Sequence, residues 1–134
     1  ANMKYWIKRS KEKGLNVCGH LIYGLPGENQ EMMLETFKQT LQLNIDSIKF
    51  HPLYVVKNTL LTNEFKKGKF NPISEELYID TVVKSIINLP SNISVQRVTA
   101  GIDDSTLLSP EWCRNKHTQM KNIRLALEKE GFNY

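Results

Sequence analysis

Val17-Cys18-Gly19-His20-Leu21-Ile22-Tyr23-Gly24-Leu25-Pro26-Gly27-Glu28 reads as a strand that stops in a tight turn and passes directly into a helix beginning near Asn29 or Gln30. The apolar and aromatic run is too short for a helix and is bounded by Gly and Pro, the pattern of a buried strand. Gly24 and Gly27 give the turn φ angles that a Cβ disfavours, and Pro26 fixes its own φ. The first amides of the following helix have no intrahelical acceptor, so they favour a hydrogen-bond acceptor or negative charge above the strand end. In α/β proteins ligands bind at that edge.

The rest of the chain repeats the alternation on either side of this unit. Residues 3–13 read as a basic helix with Tyr5, Trp6 and Ile7 as apolar surface, ended by Gly14, and the quoted strand covers residues 16–23. A helix over 30–43 places Met33, Phe37 and Leu41, joined by Thr40, on one face that packs on the sheet. Residues 46–54 read as a second strand ending near His51, because Pro52 cannot donate to the ladder. The segment 55–72, broken by Asn58, Asn63, Gly68 and Pro72, reads as a long connection of the kind that forms a lid or binding loop. Ser74 caps a helix that runs to about Leu89, with Glu75 and Glu76 in its first turn and Tyr78, Val82, Ile86 and Leu89 on its buried face. A third, alternating strand spans 93–98. Ser109 and Pro110 read as the N-cap and first residue of a last helix over 111–129, with Trp112, Met120, Ile123 and Leu127 available to pack.

Helices and strands in strict alternation imply right-handed crossovers and an α/β fold with a parallel sheet of about three strands, all strand C-termini on one edge. Three strands do not close a barrel. The expectation is therefore a piece of a larger barrel, or an open sheet whose edges a partner must cover, including a second copy of the chain. The opening, Ala1-Asn2-Met3 running at once into Lys4-Tyr5-Trp6-Ile7-Lys8, reads as entry into the middle of a helix and points to a piece of a longer protein.

The 134 residues correspond to one domain in size, with a formal net charge of +4. No window approaches a membrane span and the N-terminus has no signal-peptide core, so the expectation is a cytoplasmic protein without membrane association. Cys18 and Cys113 are far apart in sequence and outside any metal-ligand spacing, which reads as two buried, reduced thiols and no metal. Lys66-Lys67-Gly68-Lys69 is the one short basic run and could touch phosphate of RNA. The Gly24 turn is neither a Walker A loop nor GxGxxG, and no nucleophile elbow or HExxH is present, so nucleotide-binding and hydrolase readings have little motif support. What remains is a set of polar side chains near the strand ends: His20, Lys49, His51, Gln96 and Arg97, with Glu28 at the turn. By alternation Cys18, His20, Ile22 and Gly24 share one face of their strand, and Lys49 and His51 one face of theirs. If those faces meet at a lumen they form a ligand site; otherwise His51 and Arg97 are ordinary edge and surface residues, and Glu28 stabilises a helix N-terminus.

His20 to Glu28, then Ile48-Lys49-Phe50-His51-Pro52-Leu53-Tyr54-Val55-Val56-Lys57-Asn58-Thr59, then Val95-Gln96-Arg97-Val98-Thr99 and Trp112-Cys113-Arg114-Asn115-Lys116 resemble the C-terminal half of the YhcC-like radical SAM proteins. These are Fe-S oxidoreductases related to the elongator-type radical SAM enzymes. The resemblance covers essentially the whole chain. It implies a fragment of a partial (β/α) TIM-like barrel, of which residues 1–134 would be the C-terminal part. In the full-length parent a CxxxCxxC loop holds a 4Fe-4S cluster that binds S-adenosylmethionine (SAM) and cleaves it reductively to a 5′-deoxyadenosyl radical. That loop is absent from this sequence, so the fragment itself is expected to bind neither cofactor and to be inactive without the N-terminal half of the barrel. The Gly24 strand resembles the GxIxGxxE motif that holds the SAM adenine: Ile22 and Gly24 match it, His20 stands at the first Gly, and Glu28 falls one position late because Gly27 intervenes. The resemblance thus implies a cofactor-binding role for His20, Ile22, Gly24 and Glu28, and places Lys49, His51, Gln96 and Arg97 as substrate-binding candidates. The alternative reading is a stand-alone RNA-binding or nucleotide-binding α/β module.

Overall fold

Residues with alternating character in the sequence sort onto two sides of a sheet. In the computed structural model, which describes residues 2–132, strand β1 (Cys18–Tyr23) buries Leu21 and Tyr23 and exposes His20 and Ile22. Strand β2 (Ser47–Pro52) buries Ile48 and Phe50 on the same side. A two-residue step per face does this, so the same alternation that makes one side a core makes the other a row of polar groups.

Helix α1 (Asn2–Glu12) precedes β1, and helix α2 (Gln30–Leu41) joins β1 to β2. A two-residue strand, β3 (Val55–Val56), a short helix, α3 (Leu60–Lys66), and helix α4 (Glu75–Ile87) follow. Strand β4 (Ser94–Arg97), strand β5 (Leu107–Ser109), a 3₁₀ turn at Glu111–Arg114 and helix α5 (Lys116–Lys129) complete the described residues. The main sheet has the order β1-β2-β4, and both pairings are parallel. Parallel neighbours joined through α2 and α4 require crossovers, which puts the three C-terminal strand ends on one edge.

One face of the sheet is covered. Met33 and Phe37 of α2, Tyr78 and Val82 of α4, and Ile123 and Leu127 of α5 form one cluster with Leu21, Tyr23, Ile48 and Phe50. The two buried tyrosines carry their polar ends into this core with partners: the Tyr78 hydroxyl donates to the Val98 carbonyl at 2.8 Å, and the Tyr23 hydroxyl lies 2.7 Å from Ser85 Oγ. Ser85 donates in turn to the Thr81 carbonyl, so Tyr23 is the donor of its pair. Burial pushes both phenols far above their ordinary range, which keeps them neutral donors at any working pH.

Several boundaries differ from the sequence reading. The connection 55–72 is not loop throughout: Thr59 caps α3 through a reciprocal pair with Thr62, and β3 pairs antiparallel with β5. Ser109 is not an N-cap, because it is held in β5 opposite Val55, and the expected helix over 111–129 divides into the 3₁₀ turn and α5, with Asn115 accepting from the Thr118 amide at 2.9 Å. The second strand runs through Pro52 rather than ending at His51, and the third is shorter than 93–98. Cys113 is buried, with its thiol pushed up to about 12 by loss of solvent, but Cys18 is only half-buried and belongs to the open face.

α1 lies apart from this core and buries none of its residues. Trp6 is 63% exposed and packs edge-on against Tyr5. Its tether is polar: Lys11 Nζ sits 2.5 Å from an Asp46 carboxylate oxygen, while the other oxygen accepts from the Val17 amide at 2.7 Å. The Lys11 contact, helped by the Val17 amide, holds the Asp46 carboxyl below its ordinary value of 3.8. A carboxylate with a depressed native pKa contributes stability above its unfolded value and loses it as pH falls through the folded one. Loosening of α1, followed by amide hydrogen exchange across residues 2–12, is therefore expected on acidification below about pH 4, before the core opens, and equally in Asp46→Asn at neutral pH.

Candidate active site on the open face of the sheet

The face opposite the core carries no covering helix among the described residues. Its level is set by the ladder. His20 is the register partner of Lys49, and Ile22 of His51, so residues of like parity on β1 and β2 stand side by side. On β4 the register slips between Ile48 and Lys49: Val95 pairs with Ile48 and Arg97 with Lys49, leaving Gln96 as the extra residue. An inserted residue of this kind breaks strict alternation. Gln96 and Arg97 are both exposed, and both reach the open side. Gln96 Nε2 donates to Ser47 Oγ at 2.9 Å and its Oε1 lies 3.9 Å from the Cys18 thiol, while the Arg97 charge acts on His51.

The structure thus brings His20, Ile22, Lys49, His51, Gln96 and Arg97 onto one surface. Cys18, which alternation places with His20 and Ile22, also lies on this face and is half-buried; the sequence reading missed Ser47, for which period-two spacing back from Lys49 was the available signal. Tyr54 was also missed. Its ring centroid is 5.0 Å from that of His51, a contact made by the chain's bend after Pro52 and not legible from periodicity.

His51 is the most constrained of these groups. Its Nδ1 lies 2.6 Å from the Pro52 carbonyl oxygen. A carbonyl only accepts, so Nδ1 carries the proton and Nε2 is the acceptor of the neutral ring. Partial burial lowers its pKa below the ordinary 6.5, the Pro52 bond acts in the opposite sense, and the positive charges of Arg97 and His20 lower it further. A histidine depressed in this way is neutral at pH 7, and as pH falls through 6.5 the unfolded chain takes up the proton first, so native stability declines. In Arg97→Gln the His51 pKa is expected to rise, measured by proton NMR of the imidazole ring; an unchanged value would mean that Arg97 does not face it.

At the rim, Gly24 has φ +101° and follows the last residue of β1. Glu28 turns back on this corner: its carboxylate accepts from the Gly24 amide at 3.3 Å and from the Leu25 amide at 3.2 Å. It therefore closes the turn, whereas the N-terminus of α2 is capped by Asn29, which accepts from the Met32 amide at 2.8 Å. Behind the turn a cleft of about 370 Å³ lies between Gly24, Glu28 and the segment Phe70 to Ser74. Ile22 is 47% exposed on the open side, a large apolar surface beside polar neighbours. An apolar side chain next to backbone at a strand end is a fitting support for a flat aromatic ring such as adenine. For a 4Fe-4S cluster this chain offers no fit: two cysteines fall short of the thiolates such a cluster needs, and no group of three or more His, Cys, Asp or Glu among the described residues could hold a metal ion.

Parallel strands alternating with helices on one face, with polar side chains on the other and a glycine-bounded rim, define a segment of a (β/α) barrel. Residues 45–129 match the Radical_SAM C-terminal domain family, and the chain belongs to it. It is 36% identical over 122 residues to protein YhcC of Escherichia coli (strain K12), covering 91% of this chain and 40% of YhcC. It is 28% identical over 101 residues to the tRNA uridine(34) acetyltransferase of Methanocaldococcus jannaschii, covering 73% of this chain and 19% of that protein. The fold superposes on the archaeal Methanocaldococcus infernus Elp3 with an N-terminal deletion at a TM-score of 0.81 and 27% identity, over 93% of this chain and 30% of that one. The chain thus spans less than half the length of each of these relatives. Among the described residues, no helix is long and apolar enough to cross a membrane.

Proposed function

We propose that this chain is the C-terminal part of the barrel of a cytoplasmic radical SAM enzyme, and that its open sheet face is the inner wall of that barrel. The similarity to Elp3 over 93% of the chain, with the glycine-bounded end of β1 in place, is the observation that carries this reading. Ile22 and the backbone at Gly24 would support the adenine of SAM, with Glu28 holding the turn that positions them and His20 beside them. Lys49, His51, Gln96 and Arg97 would line the substrate side. The 4Fe-4S cluster belongs to residues outside this chain, and the chemistry that the complete assembly supplies is reductive cleavage of SAM to modify a substrate. The remainder of the barrel covers the free edges of β1 and β4 and the exposed aromatic face of α1.

After anaerobic reconstitution with iron and sulfide, this chain is expected to hold no cluster, and a chain extended upstream through a CxxxCxxC loop to show broad absorbance at the blue end of the visible. The extended form should release 5′-deoxyadenosine from SAM, and Ile22→Asp should weaken its SAM binding by about tenfold or more, as expected for a buried charge replacing an apolar contact. An extended form without the cluster, or an Ile22→Asp variant with unaltered binding, would overturn the reading. If the edges pair with a second copy instead, light scattering of the chain alone will give a dimer mass.

A second reading, that the parent acts on RNA, is favoured by one observation: a relative is named for its action on tRNA. Lys66 and Lys67 at the end of α3 are exposed, while Lys69 pairs with Glu64 at 3.2 Å. Salt-dependent retention on RNA, weakened in Lys66→Gln with Lys67→Gln, is the expected result if this run contributes.

A further inference from the structure

His20, Lys49 and Arg97 are register partners across β1, β2 and β4, so three basic side chains stand in one transverse row on the open face. Adjacent strands lie about 4.8 Å apart, which makes the row about 10 Å wide. His51 stands one step nearer the strand C-termini, beside Ile22. The three strands read CGHLIY, SIKFHP and SVQR and contain no Asp or Glu. Among the described residues, the ion pairs are Lys11 with Asp46, Lys69 with Glu64, Lys84 with Asp80 and Arg114 with Glu111. Lys49 and Arg97 are in none of them. Like charges opposite one another across strands repel, and Arg97 and His20 act on His51 in the same sense, adding to burial in lowering its pKa. On the side toward the strand N-termini, Gln96 is tied to Ser47, so the row is open toward the rim.

We propose that the row His20, Lys49 and Arg97, with His51 above it, binds an oxyanion of the substrate, a phosphate or a carboxylate. Arg97 supplies a planar fork that matches either group, Lys49 a mobile point charge, and His51 takes up a proton when the anion arrives. This site deepens the reading of the open face as an inner wall and rests on it. It defines the substrate as an anionic molecule held by its charged group, which leaves its reacting part to project toward Ile22 and the Gly24 rim.

The test uses this chain alone, titrated with inorganic pyrophosphate in one arm and citrate in the other, at constant ionic strength set with sodium chloride. Proton NMR of the His51 and His20 rings provides the readout. A saturable rise of the His51 pKa is expected, because a bound anion favours imidazolium. The arm that saturates at lower concentration identifies the phosphate or the carboxylate as the source. Lys49→Gln combined with Arg97→Gln should weaken the apparent affinity by about tenfold or more, while Lys49→Arg keeps it, since the two lost charge-assisted contacts are the strong ones. No saturable change in either arm, or an equal change in the double variant, would overturn the proposal. Neither cluster nor SAM enters this experiment. Loss of the anion effect with SAM cleavage intact in the extended chain therefore removes the anion site alone, and the converse result removes only the radical SAM reading.

Discussion

Replacing Phe50 by alanine is expected to lower the stability of the fold by about 3–5 kcal/mol, the range for truncating a phenylalanine in a packed core. Phe50 is fully buried on the central strand, with ring centroids 5.6 Å from Tyr23 and 6.2 Å from Phe37. It joins β1, β2 and α2 at one point, and the surrounding backbone belongs to a parallel ladder that cannot collapse into the space without breaking register. Urea unfolding should show the midpoint fall with an unchanged slope, since the surface exposed on unfolding is nearly the same. His51→Ala, one residue further along the strand on the opposite face, is the control. Its loss should stay within about 1 kcal/mol, because the ring is half open to solvent and leaves no enclosed cavity. Equal effects at Phe50 and His51 would mean that β2 has no open face, and the inner-wall reading would go with it.

That contrast is the part of the architecture most legible in the sequence. The 2.0 and 3.6 periods of β1, β2, α2 and α4 are long enough to be read, and Ser74 caps α4 as expected, accepting from the Leu77 amide at 3.1 Å. The errors lie where tertiary contacts outweigh local signals. Val55–Val56 is too short to carry a period, and it is a strand only because Leu107–Ser109 returns to pair with it. Thr59 and Thr62 did hold a signal for α3, a reciprocal cap ahead of Leu61 and Phe65, but Asn58, Asn63 and Gly68 obscured it. The pairing of Ser109 with Val55 removes it from the helix it was expected to start. For the site, alternation placed His20 with Ile22 and Lys49 with His51, whereas the slip on β4 that brings Gln96 and Arg97 to the same side is a property of the ladder and has no mark in Ile93 to Val98.

The rim of that wall depends on Gly24, and Gly24→Ala is expected to cost about 2–4 kcal/mol, the sum of backbone strain and overpacking. Two effects coincide at this residue. Its φ of +101° lies where side chains are rarely accommodated, and an added Cβ would fall 2.7 Å from Ile73 Cγ2 and 2.8 Å from Ile73 Cβ. The Ile73 side chain cannot easily retreat: it is buried, and its carbonyl accepts from Trp112 Nε1 at 3.0 Å. Gly27 separates the two effects, because its φ is +80° but nothing lies within 4 Å of where its Cβ would be. Gly27→Ala should therefore incur the backbone part alone, about 1–2 kcal/mol. Combining Gly24→Ala with Ile73→Gly, which removes both Ile73 Cβ and Cγ2, tests the steric part, since the pair should cost less than the sum of the two single changes by about 1 kcal/mol or more. Additive costs in chemical unfolding, or equal losses at Gly24 and Gly27, would show that the turn does not press on Ile73. If the adenine of SAM rests on Ile22 as proposed, Gly24→Ala should also weaken SAM binding in the extended chain more than Gly27→Ala does, because relieving the clash moves the strand end that carries Ile22.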